Sequence, residues 1–118
     1  MKKIILLLGM IHLLFLTASS QVEGDVTDPK EIAITNAVIT ATDTTGKIVD
    51  TVKTDERGFY LFEKLKPGKY TIEAKAPGFL PAARTVRVKP KPANSNNRDD
   101  TYYAETLDII LQRPKATK

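Results

Sequence analysis

A chain of 118 residues with a net charge of +4, no cysteine and one histidine has the length of a single domain, and that inventory excludes several chemistries at once. Without cysteine there is no disulfide, no lipid-attachment thiol and no thiolate nucleophile; with His12 as the sole imidazole, neither a Ser-His-Asp or Cys-His system nor a zinc site of His and Cys can be assembled in the later part of the chain. Once Lys2 and Lys3 are set aside with the first twenty residues the basic excess falls to +2, and it is scattered rather than gathered with aromatics on one face, which argues against a nucleic-acid surface.

Residues 1–20 read as a secretory signal peptide: Lys2 and Lys3, an apolar run from Ile4 to Leu16, then Ala18 and Ser20 as the small residues before a cut at Gln21. The apolar run is short for a bilayer core that takes about 20 residues, so cleavage is expected rather than an anchor, leaving no stable membrane span. Residues 22–26 suggest a first strand, ended by Asp28-Pro29. In residues 37–43, Ala37, Ile39 and Ala41 form the inward set and the β-branched Val38, Thr40 and Thr42 the outer one. Asp43-Thr-Thr-Gly46 is a turn, and residues 47–54 close a hairpin.

Asp55-Glu-Arg-Gly58 turns the chain again, with Gly58 expected at positive φ. Beyond it Tyr60 and Phe62 share one face and Leu61 and Glu63 the other, and Leu65 caps the core. Pro67-Gly68 makes a tight reversal. The next strand sets Tyr70, Ile72, Ala74 and Ala76 against Lys69, Thr71, Glu73 and Lys75. Strands at 83–88 and 106–111 follow, separated by a polar loop over 89–101, and a basic tail covers 113–118.

One dry face and one wet face, with turn residues every few positions and no helical period, predict an all-β fold: an immunoglobulin- or transthyretin-like antiparallel sandwich of about seven strands over residues 21–112. The residues that carry this rhythm, Gly24-Asp-Val-Thr-Asp28, Ala37-Val-Ile-Thr-Ala-Thr-Asp43, Thr54-Asp-Glu-Arg-Gly-Phe-Tyr-Leu-Phe62, Leu65-Lys-Pro-Gly-Lys-Tyr70 and Ala76-Pro-Gly-Phe79, resemble the carboxypeptidase regulatory-like domain. That resemblance implies a transthyretin-like sandwich of the carbohydrate-binding-like group and an accessory, non-catalytic module. Such modules are appended to metallocarboxypeptidases, adhesins or outer-membrane transporters. Transthyretin-like hydroxyisourate hydrolases share the fold but use histidines that this chain lacks.

Asp25, Asp28, Asp43, Asp50, Asp55 and Glu56 are the carboxylates open to a pair or a calcium site, but they lack the alternating spacing of a calcium loop, and turn formation is their expected work. No cofactor, metal or catalytic residue is expected. Nor is the Lys-Asn bond of collagen-adhesin B-type domains, since the first strand has no lysine and Glu73 falls outward. A weak ligand-binding candidate is the pair Tyr102 and Tyr103, of which a strand packs one and exposes the other.

The expected protein is a secreted, periplasmic or cell-envelope module whose partner is another protein or a cell-surface glycan, with no nucleic acid. The alternatives are a small carbohydrate-binding protein, or an orphan accessory domain of a surface peptidase or transporter. Residues 47–54 are the expected open edge, with Lys47, Asp50 and Lys53 either recognising a partner strand or discouraging aggregation.

Overall fold

In the computed structural model, residues 20–90 and 104–115 are described. Eight strands follow in order: β1 (Ser20–Thr27), β2 (Val38–Thr42), β3 (Ile48–Lys53), β4 (Phe59–Leu65), β5 (Gly68–Lys75), β6 (Ala82–Val88), β7 (Ala104–Thr106) and β8 (Ile109–Ile110). They form two sheets. One has the order β4-β1-β7, with β8 also on β1; the other has the order β3-β2-β5-β6. The expected strand over 106–111 is displaced and divided: β7 and β8 are two short pieces of one ribbon, broken at Leu107 and Asp108. This is why the strands among the described residues number eight rather than about seven.

The second sheet is antiparallel throughout, as the alternation predicts. The first is mixed. β4 runs antiparallel to β1, whereas β7 and β8 run parallel to it. Alternation of wet and dry residues sets which face is buried but is blind to the direction of the neighbouring strand, so only the coordinates place the last strand parallel to the first.

Both sheets send their inward residues into one core. Val22, Ile39, Ala41, Phe62, Ile72, Ala74 and Leu111 are fully buried, and Tyr60 meets Phe62 edge to face with ring centroids 5.9 Å apart, the arrangement aromatic quadrupoles favour. The expected inward sets of β2, β4 and β5 are all there, although Ala76 and Phe79 are only half-buried at the rim. The reversals at Asp55–Gly58 and Pro67-Gly68 do not join paired strands. Each carries the chain from one sheet to the other, since β3 and β5 belong to the second sheet and β4 to the first.

Three turns repeat one set of hydrogen bonds. At Asp28, Asp43 and Asp55 the carboxylate Oδ1 accepts the amides two and four residues on: Lys30 and Ile32, Thr45 and Lys47, Arg57 and Phe59, at 2.8–3.1 Å. In each, the amide of the third residue on donates to the aspartate's carbonyl, and that third residue lies at positive φ: Glu31 at 65°, Gly46 at 88° and Gly58 at 76°. An Asp side chain that copies a backbone turn, followed by a left-handed residue, is a compact way to reverse direction.

Candidate interaction surface

β3 is an open edge of its sheet, as expected, and it carries two apolar side chains that no packing explains: Ile48 is 58% exposed and Val49 42%. Val52, further along, turns inward against the core. The exposed pair lines a groove of about 450 Å³ between β3 and the end of β4, closed by Leu65 and Tyr70 and rimmed by Lys47, Lys64 and Lys66. The groove therefore joins apolar side chains to three lysines and the Asp43 carboxylate, with cations in excess. Such a surface suits a partner that brings an apolar side chain flanked by carboxylates.

Two devices hold this margin in shape. Tyr70 donates its hydroxyl to the Lys66 carbonyl at 2.6 Å, tying the first turns of β5 back to the loop that precedes it, and burial pushes its phenol above the ordinary range. On the other side, Asp43 accepts the Thr45 hydroxyl at 2.6 Å. That bond, and then the Lys47 amide, hold its carboxyl below the usual value, so the turn beside the groove carries a fixed negative charge.

The main chain of β3 is less available than its side chains. The Thr54 amide donates to the Ala37 carbonyl and the Asn36 amide to the Thr54 carbonyl, so within the regular register from Asp50 to Lys53, short of the slip opposite Ala41 and Thr42, Asp50 and Val52 turn their peptide groups toward β2 and Thr51 and Lys53 toward the open side. The Thr51 amide is taken by Asp50 Oδ1 at 2.8 Å. A carboxylate that covers an outward amide interrupts the ladder an added strand would need. Of the two roles left open for the charged residues of this strand, the geometry of Asp50 fits the discouragement of pairing.

Of the other carboxylates, three have structural roles. Asp28 and Asp55 hold turns, and Asp108 Oδ1 accepts the Asp25 amide at 2.9 Å. Among the described residues no three His, Cys, Asp or Glu side chains gather where a metal could sit, and no helix is long and apolar enough to cross a membrane. Tyr102 and Tyr103 lie outside the described residues, as does most of the loop over 89–101.

Sequence reasoning missed Thr54, whose buried hydroxyl donates to the Ile34 carbonyl at 2.6 Å and accepts the Ala37 amide at 2.9 Å. It also missed Arg84, which reaches from β6 to the Asp108 carbonyl at 2.6 Å. Nothing in the local pattern marks either one, because both partners are distant in the chain.

A family model described as the carboxypeptidase regulatory-like domain matches residues 21–98. Among curated proteins, the bone sialoprotein-binding protein of Staphylococcus aureus is 34% identical over 70 residues, a stretch covering 58% of this chain and only 6% of that relative's length. Among solved structures, the TIE protein of Bacillus anthracis superimposes with a TM-score of 0.59 at 23% identity, over 81% of this chain and 17% of that one. Catechol 1,2 dioxygenase of Acinetobacter radioresistens gives 0.58 at 13% identity, over 85% of this chain and 53% of the other. At such identities the likeness is one of fold, and neither activity nor partner comes with it.

Proposed function

The chain belongs to the carboxypeptidase regulatory-like domain family, and from that membership we propose that it is a non-catalytic module of the cell envelope or the secreted space, exported by a leader over residues 1–20, that binds another protein. Membership of that family and the likeness to a bone sialoprotein-binding protein support a non-catalytic surface module. The protein partner is the finer reading, and one observation carries it: the exposed Ile48 and Val49 on the lysine-rimmed groove beside β3. Ile32, Leu80 and Ile110 are exposed as well, but Ile48 and Val49 are adjacent and border a depression, and contiguous apolar surface in such a place marks interaction sites more than singly scattered side chains do. Because Asp50 covers the Thr51 amide, contact runs through side chains in the groove rather than through an added strand.

The test uses a photo-activatable amino acid placed at Ile48, Val49 or, as a control, Thr85 on the far edge strand, in cells that make the full chain. Adducts to one protein from positions 48 and 49 but not 85 support the reading. Failure to cross-link at 48 and 49, together with glycan-array binding that disappears in Tyr102→Ala and Tyr103→Ala, would transfer the function to sugar recognition.

A further inference from the structure

Gln21 stands out among the described residues as the one with a buried side-chain polar atom lacking a hydrogen-bond partner, its Oε1. It also occupies an unusual place. β1 is the middle strand, with β4 on one side and β7 on the other, and Gln21 is paired in register with Ala104 of β7. On the β4 side the register slips: Ser20 faces Leu65 and Val22 faces Phe62, so the single residue Gln21 stands opposite two, Glu63 and Lys64. This is the two-against-one count of a β-bulge, which loosens the ladder locally.

The expected leader cut falls immediately before this residue, and an α-amine released there is mostly protonated at neutral pH. Such an ammonium would stand at the head of a strand flanked by β7 on one side and the end of β4 on the other. It has three protons to satisfy where the intact peptide had one, and a buried or half-buried charge is costly unless it is paired.

We propose that Gln21, on becoming the first residue, is a modification site that closes to pyroglutamate; the proposal rests on the reading of residues 1–20 as a cleaved leader. In its neutral form the α-nitrogen attacks the side-chain carbonyl carbon Cδ, a new C–N bond forms, the bond from Cδ to Nε2 breaks, and ammonia leaves with the displaced proton. The product is a five-membered lactam. No oxidant, reductant or second substrate is needed. The lactam keeps one N–H donor and carries no charge, so the strand is headed by a neutral group, and Oε1 remains as the lactam carbonyl oxygen, outside the ring. The cut removes Ser20 and its pairing with Leu65, and since Gln21 has no partner in register on β4, the ring heads the strand with no ladder partner on that side.

The full chain, exported with its own leader and purified from the compartment it reaches, is examined by intact mass, peptide mapping and stepwise N-terminal sequencing. The expected mass is that of residues 21–118 less one ammonia. Mapping should place the loss on the Gln21 peptide, and sequencing should be blocked until the unfolded protein is treated with pyroglutamyl aminopeptidase. Gln21→Ala should show its full calculated mass and an open terminus. Free sequencing through Gln-Val-Glu-Gly, before and after incubation at neutral pH, overturns the proposal with the cleavage reading intact. A first residue other than Gln21, or a chain that keeps its leader, overturns it through its premise, and an ammonia loss mapped elsewhere overturns it as well.

Discussion

The aspartates at 28, 43 and 55 show how one side chain can set a backbone. Each accepts the amides two and four residues on, and each is followed by a residue at positive φ. Two of those three positions are glycine; the third is Glu31, which bears the steric cost of the left-handed region, about 1–2 kcal/mol. Glu31→Gly is therefore expected to raise the unfolding free energy by up to about 1 kcal/mol, part of the relief being offset by the greater freedom of glycine in the unfolded chain, as read from urea midpoints.

At Gly58 a Cβ would stand 2.6 Å from the Val26 carbonyl oxygen, so Gly58→Val adds a clash to φ strain of about 1–3 kcal/mol, and a midpoint shift smaller than this would place the glycine wrongly. Tyr70→Ala is expected to cost about 3–5 kcal/mol for a buried ring, whereas Tyr70→Phe, which loses only the bond to the Lys66 carbonyl, should cost about 1 kcal/mol. Near-equal losses in the two variants would mean that the hydroxyl rather than the ring holds the turn.

The ribbon of β7 and β8 is interrupted because of what stands opposite it. Gly24 in β1 has no side chain, and the Leu107 carbonyl occupies the space a Cβ would fill, 1.9 Å from that position. The same carbonyl accepts the Tyr60 hydroxyl at 2.5 Å, so the strand breaks over a glycine and is tied by a ring from the opposite neighbour, β4. Burial, then the Asp108 carboxylate, push the Tyr60 phenol far above its ordinary value. The sign follows directly: an unfolded tyrosine ionises near 10.0 while the folded one keeps its proton, so the stabilisation is whole below that pH and declines as the pH rises above it. Thermal melts across that range should show a falling midpoint, with a shallower fall in Tyr60→Phe; Tyr70, raised in the same direction by its burial, supplies part of what slope remains.

β3 offers a second test at this scale. Asp50→Val frees the outward Thr51 amide and removes a charge from an open edge, and it is expected to convert a monomer to self-associated species in sedimentation velocity. Unchanged sedimentation would mean that Asp50 does not guard the edge.

Over the whole molecule, two sheets close on one core with turns that cross between them, and the groove beside β3 exists because β3 and β4 approach at one margin while belonging to different sheets. Neither strand holds the groove alone. Ile48 and Val49 read in sequence as ordinary members of a β-branched strand; their exposure follows from β3 lying at the edge of its sheet.

From the residues alone, the period of two settled which side chains of β2, β4 and β5 are buried, and Asp with Gly three residues later settled two of the three repeated turns, because both are local consequences of backbone geometry. The absence of cysteine, and of histidine beyond His12, closes the Ser-His-Asp, Cys-His and His/Cys zinc arrangements to residues 21–118. Tertiary structure decided the parallel course of β7 and β8 against β1, the hydroxyl bonds of Thr54 and Tyr60, the position of Gln21 in a slipped register and the capped amide on β3. In those cases the deciding contact joins residues distant in the chain or depends on which strand lies beside which, and a one-dimensional alternation carries no record of its neighbour.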